Sequence, residues 1–420
     1  MKKINLYLIY LICFGLPGYL IRFDILGIPT TALEILLYIV ALITIVNLIV
    51  NKKSTNISKF FKKYWIFITA IVLFFISGIV AIVVSPVKMV ALGQFKALIF
   101  DPILFFFIIL ANNENEKSIG NVLYSFSLSG IYVGSFSLYQ YLLGNFTDDH
   151  RIVGIFGYTP NYTAFYLVPL AIIASYDLFI NFNKRNKIYS VLEIISIIVS
   201  LIAIYLSGSR AAILALIGAL VIGYAIKYLY ITQIRWYWKS IIASIIIICS
   251  LAVGWQYTKP NFSLSPEEGG RITASNNIRF EIWNTTVKNI LFENDKWLFG
   301  VGLGNYQDYF TNLTNDWVNY AVWISPKALT AHNLWLSTWV SLGILGLIAF
   351  FAITIIMIKN INLKNQISFS ILLAIIAILI QGMVDTPYWK NDLSLMWWLF
   401  AAIIILLTFF INHEKNARKS

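Results

Sequence analysis

The chain has 420 residues, 59% of them hydrophobic and only 12% charged, and a net charge of +12. Soluble domains carry roughly 25% charged residues, and a soluble fold cannot hide this much apolar surface from water. The composition therefore excludes a soluble enzyme, a nucleic-acid-binding protein and a disordered chain, and makes the bilayer the main solvent.

Apolar runs near the length that crosses about 30 Å of hydrocarbon recur along the chain. They predict twelve transmembrane helices, at roughly 4–21, 31–50, 64–84, 94–111, 119–143, 159–180, 188–207, 210–231, 240–257, 332–358, 367–384 and 393–412. Each is expected to be helical, because an isolated span must satisfy its own backbone. The first follows Met1, Lys2 and Lys3 without a small-residue cleavage site, and is read as a retained helix rather than a signal peptide. In the fourth, Gln94, Lys96, Asp101 and Pro102 predict a broken or partly re-entrant segment. Cys13 and Cys249 both lie in apolar runs, and no disulfide framework follows from them.

Charge sets the expected orientation. With both termini cytoplasmic, most of the 31 Lys and Arg fall inside, among them Lys52, Lys53, Lys62, Lys63, Lys184, Arg185, Lys187, Lys359 and Lys364. Of those left outside, Lys259, Arg271, Arg279, Lys288, Lys296 and Lys327 share one long loop, where the positive-inside rule is weak. The surplus of positive charge is thus a topology signal before it is a ligand signal. The chain is read as an all-α polytopic membrane protein. Helices one to nine occupy 1–257, an extracytoplasmic loop domain 258–331, and helices ten to twelve with a cytoplasmic tail 332–420. Within the loop, Pro266 to Gly270 predicts a turn. Ile278, Ile282, Val287 and Leu291 predict an amphipathic helix over 276–292, and Gly300-Val301-Gly302-Leu303-Gly304 predicts a further loop. Without a preceding strand or a P-loop lysine, that glycine run is a weak nucleotide site.

Four outer-face residues are candidates for chemistry. Arg210, in Ser207-Gly208-Ser209-Arg210, sits at a membrane edge, where a guanidinium is functional by default. The alternative is an arginine snorkelling to headgroups. Arg279 lies on the amphipathic helix, where an ordinary surface arginine is the simpler reading. His332 stands where the long loop re-enters the membrane, and its imidazole suits a general base. A headgroup contact is the competing reading, and a histidine without neighbouring ligands makes a poor zinc site. Asp385, before Pro387, can orient an imidazole, bind a sugar hydroxyl, or cap its own turn. Two guanidiniums and a base on one face suit an anionic lipid diphosphate and a hydroxyl acceptor.

Three blocks in this order resemble the O-antigen ligase and polymerase family. They are Ser207 to Arg210; Arg279-Phe280-Glu281-Ile282-Trp283 leading to Leu298 through Gly304; and His332-Asn333-Leu334-Trp335-Leu336 followed by Leu342-Gly343-Ile344-Leu345-Gly346. An upstream block, Gly154 to Tyr162, is similar to the family's Gly-rich, Pro-Asn segment. The resemblance implies an inverting, metal-independent glycosyltransferase on the outer face of the cytoplasmic membrane. Its donor would be a glycan on undecaprenyl diphosphate, and its acceptor a glycan or lipid-linked glycan hydroxyl. Arg210 and Arg279 would hold the diphosphate, His332 would activate the acceptor, and Asp385 would assist in substrate binding. The glycosyl diphosphate stores the energy for transfer, so no cofactor is implied.

A ligase is the first expectation, and a polysaccharide polymerase of the same family the alternative. A transporter or flippase is more remote. Its halves should repeat, and the single long loop breaks any such symmetry. It would also need polar or charged groups at mid-membrane, which most spans lack; the exceptions, Glu34, Asp177 and Glu193, lie within or near span ends.

Overall fold

A computed structural model of the protein describes residues 2–25, 27–50, 62–113, 115–147, 150–157, 159–183, 185–231, 278–315 and 328–417. The ninth expected span, the turn at Pro266 to Gly270 and Cys249 lie outside the described residues. Helix α1 (Lys2–Phe14) leads through a 3-10 turn (Leu16–Leu20) into a hairpin of β1 (Arg22–Ile25) and β2 (Ile28–Thr31). Then follow α2 (Ala32–Val50), α3 (Trp65–Val84), α4 (Lys88–Asn112), α5 (Glu116–Leu142), α6 (Pro160–Asn181), α7 (Lys187–Leu206) and α8 (Arg210–Ile231). Helix α9 (278–284) runs on into a π segment (Thr285–Glu293), and α10 (Tyr306–Thr314), α11 (Leu334–Lys359), α12 (Gln366–Gly382) and α13 (Asn391–Ala417) complete the bundle.

Among the described residues, 8 helices are long and apolar enough to cross a membrane. Helices α1 and α12 are apolar but shorter, and α5 is 27 residues long with a more polar composition. The first expected span is helical only to Phe14, since Gly15 and Pro17 turn the chain into the 3-10 segment. The fourth departs from its expectation, because Lys88–Asn112 is one continuous helical rod with a π segment at Lys96–Phe100. Lys96 and Asp101 do not break it because both find partners on α2. Lys96 Nζ lies 3.0 Å from Glu34 Oε2, and Tyr38 donates to Asp101 Oδ1 at 2.8 Å.

Sequence chemistry sets where the helices begin. Thr31 and Glu34 exchange reciprocal 3.2 Å backbone-to-side-chain hydrogen bonds, a capping box that starts α2. Asn115, Asn186, Asn333 and Asn365 cap α5, α7, α11 and α12 by accepting from the first-turn N–H groups. Asp177, near the end of α6, and Glu193, near the start of α7, are also paired. Arg185 binds Asp177 and lies 3.6 Å from Glu193.

Burial separates inner from outer helices. In α13, 83% of the most apolar window is enclosed by protein, against 22% in α8, whose apolar side chains are left for lipid. A second, smaller core gathers Ile282, Ile290, Leu291, Tyr306 and Phe310 from the long loop onto Leu336 and Val340 of α11. The π segment shifts the face expected of the amphipathic helix. Ile282 and Leu291 are buried as expected, but Ile290 joins them while Val287 turns outward, because a π turn adds a residue per turn.

The glycine run has a packing role. Gly343 breaks α11 at φ 72°, ψ −177°, and the opened backbone takes in the 298–301 segment. Val301 N–H donates to Val340 O at 2.7 Å, and Ile344 N–H to Leu298 O at 3.1 Å. A Cβ on Gly343 would collide with the Leu298 carbonyl oxygen, and one on Gly302 would stand 2.6 Å from Ser85 N. Backbone meets backbone here, and only glycine permits it.

Candidate active site

The segments 143–147, 150–157, 207–209, 328–333 and 383–390 meet at one end of the bundle. Ile152 N–H donates to Leu206 O at 3.3 Å, and Asn333 Nδ2 to Met383 O at 2.9 Å. Arg185 and Lys187, with the 359–366 connection, lie at the other end, where Asn365 donates to Glu116 at 2.9 Å. Arg210, Arg279, His332 and Asp385 all belong to the first end.

His332 is positioned by its backbone. It takes a left-handed conformation, φ 45°, between Thr330, whose Oγ1 accepts its N–H at 3.3 Å, and Asn333, which caps α11. Trp283 Nε1 of α9 donates to the His332 carbonyl at 3.3 Å, tying the helix that carries Arg279 to the histidine. His332 Nδ1 stands 3.4 Å from Asp385 Oδ1, with the imidazole 35% exposed and the carboxylate 8%. A buried carboxylate at this distance from a half-open imidazole favours the tautomer protonated on Nδ1, which leaves the Nε2 lone pair for a reacting group.

Asp385 takes three contacts. Thr386 N–H donates to Oδ1 at 3.0 Å. Asn161 Nδ2, at the start of α6, donates to Oδ2 at 2.9 Å. Burial pushes the carboxyl pKa up. His332, the charge of Arg279 and the Asn161 hydrogen bond outweigh burial and hold it below the usual carboxylate value. Asp385 is therefore an anion at neutral pH.

Through Asn161 the pair reaches an arginine that the sequence argument did not single out. Arg151 donates from Nη2 to Asn161 Oδ1 at 2.7 Å and from Nε to Ser207 O at 2.6 Å. The Asn161 amide thus accepts from a guanidinium on one side and donates to a carboxylate on the other, which fixes its orientation. Gly208 adopts φ 60°, and a Cβ there would stand 3.1 Å from Arg151 Cγ and Nε. The Ser207-Gly208-Ser209 corner thus seats Arg151 as well as starting the helix that opens with Arg210. Burial first, then the charges of Arg279 and Arg210, lower the pKa of the Arg151 guanidinium. Arg279 and Arg210 therefore both act electrostatically on Arg151. Mutual repulsion of this kind is relieved by a bound polyanion.

Arg151 did carry a signal in the sequence. It is one of few cations in the short loops of a face otherwise poor in positive charge, and each such exception asks for a reason. Lys390 is another, at the end of the loop that holds Asp385. Among the described residues, no group of three or more His, Cys, Asp and Glu is placed to hold a metal ion.

Compared with known families, residues 195–351 match the family model described as O-antigen ligase (Wzy_C). Arg210, Arg279 and His332 lie inside the matched range, and Arg151, Asn161 and Asp385 outside it. No curated protein matches the chain.

Proposed function

We propose that this chain, with its O-antigen ligase segment at residues 195–351, is a ligase working on the outer face of the cytoplasmic membrane. It moves a glycan from a polyprenyl-diphosphate carrier to a hydroxyl acceptor, in the making of a surface polysaccharide or lipopolysaccharide. The observation that carries the reading is the connected path from Ser207 through Arg151, Asn161 and Asp385 to His332. It supports reading His332 as the base, Asp385 as its orienting anion and Arg151 as a third guanidinium alongside Arg210 and Arg279.

In this reading Arg151, Arg210 and Arg279 hold the diphosphate. The acceptor oxygen attacks the anomeric carbon from the face opposite the diphosphate, and His332 Nε2 takes the acceptor proton. The bond from the anomeric carbon to the phosphate oxygen breaks, and the electron pair leaves on the diphosphate. Negative charge grows there as the bond lengthens, and preorganised guanidiniums stabilise it without reorganising. Displacement from the opposite face inverts the anomeric centre. Asp385 stabilises the imidazolium that forms.

The test is transfer by the purified protein from a synthetic polyprenyl-diphosphate glycan, offered separately to a lipid-linked sugar acceptor and to a second carrier-linked glycan. Modification of the first acceptor supports the ligase. Extension of the second makes the protein a polymerase instead. No transfer to either, with the donor intact, overturns the reading.

A further inference from the structure

Lys390 lies beneath this site and takes no part in the steps above. Its residue is 9% exposed, and its Nζ has no hydrogen-bond partner among the described residues. The ammonium faces aromatic rings instead, at 4.0 Å from the Tyr162 centroid, 4.4 Å from Phe156 and 5.6 Å from Tyr19. A buried ammonium without an acceptor is costly, and ring faces are among the few groups that compensate for it.

The rings come from three separate segments. Phe156 ends the 3-10 turn Gly154–Phe156, which follows Arg151. Tyr162 is next to Asn161 in the first turn of α6, and Tyr19 comes from the turn after α1. Lys390 itself closes the loop that carries Asp385. Taking the proposed transfer reaction as given, we propose that Lys390 is a positioning residue. Its caged ammonium clamps the Arg151 turn and the Asn161 end of α6 against the Asp385 loop, and so sets the register of the Arg151–Asn161–Asp385 path.

The charged groups facing the ammonium among the described residues are few: Asp392 on α13 favours its charge and Arg22 on β1 opposes it. Burial, the largest influence, lowers the Lys390 pKa to about 8, with Asp392 raising it and Arg22 adding to the fall. The sign of the consequence is specific. Below that pH the charge is held against its desolvation cost. As pH rises through about 8 toward the ordinary 10.5, the folded state loses the proton first and gains stability relative to the unfolded chain. The cation that grips the rings is lost over the same range. Stability rises while the clamp loosens, and a merely structural lysine would not separate the two.

The experiment compares the full-length wild type with Lys390→Met and Lys390→Arg in detergent. The first readout needs no substrate: hydrogen–deuterium exchange over residues 150–162 is faster in Lys390→Met and unchanged in Lys390→Arg. The second is transfer, which falls roughly tenfold in Lys390→Met with a raised donor KM. Wild-type transfer declines above pH 8 while the wild-type melting temperature rises relative to Lys390→Arg, which keeps its transfer at alkaline pH. Wild-type exchange over 150–162 in Lys390→Met overturns the clamp, whatever the reaction proves to be. An alkaline decline shared by wild type and Lys390→Arg overturns it even where Lys390→Met fails to fold. Loss of transfer in the wild type itself sinks the proposed function and leaves the exchange readout to judge the clamp.

Discussion

His332 Nδ1 and Asp385 Oδ1 stand 3.4 Å apart, joined from two loops that lead into different helices. The pair makes His332 the most informative position to change. His332→Ala should insert, fold and bind the lipid-linked donor, yet lose transfer by about 10²–10⁴-fold, the usual worth of a positioned base. Donor binding and product formation measured on the same preparation check this. Normal transfer by the variant excludes His332 as the base.

Asp385→Asn keeps a similar shape and removes the charge. Transfer should drop by roughly ten- to a hundredfold, because the imidazolium loses its partner. The pH dependence has a definite sign. Since the native pKa lies below the ordinary value, the carboxylate's stabilisation is present above the unfolded value and disappears only as pH falls through the lower, native one. Melting temperatures of wild type and Asp385→Asn should differ by a constant amount from pH 8 to pH 5 and converge in stronger acid. Convergence near neutral pH would show that Asp385 is not held as an anion.

Arg151→Lys removes the forked contact to Ser207 O and Asn161 Oδ1. A lysine supplies a charge without the planar geometry, so the donor KM should rise about tenfold with the protein still folded. Arg210→Lys should be impaired at least as severely. A wild-type rate in Arg210→Lys would return that residue to a headgroup contact.

Gly208→Ala tests the corner that seats Arg151. The positive φ costs about 1–2 kcal/mol in an alanine, and the added methyl meets the Arg151 side chain at 3.1 Å. Transfer should therefore fall by more than the modest drop in melting temperature accounts for. Unchanged transfer would separate Arg151 from the reaction.

Gly343→Ala acts on the fold instead. Its backbone angles are open to glycine almost alone, and the new Cβ collides with the Leu298 carbonyl. A loss of about 3 kcal/mol or more is expected, seen as a lowered melting temperature and faster proteolysis within 298–304. Wild-type stability would mean that the break in α11 does not depend on this contact.

Apolar run length and Asn or Thr caps are local properties, so most helices could be read directly from the residues. The difficulties came where side chains from elsewhere decided the outcome. Lys96 and Asp101 predicted a break in α4, but Glu34 and Tyr38 of α2 satisfy them and the helix continues. Val287 was expected inside, but the π segment turns Ile290 inward in its place. The run Gly300 to Gly304 suggested a weak phosphate loop, and its use became visible only against the opened backbone at Gly343.

The same division holds for the site. Composition alone determined the bilayer as solvent, and charge sorting left a small set of outer cations. The residue types at Arg210, Arg279, His332 and Asp385 suggested an anion and a base. Only the tertiary structure decided that His332 has a carboxylate behind it, that Asn161 links this pair to Arg151, and that Lys390 sits in a cage beneath them. Hydropathy is written along one helix at a time, whereas these contacts join loops between different helices. Which loops meet depends on how the helices pack around α13, and no single segment encodes that order.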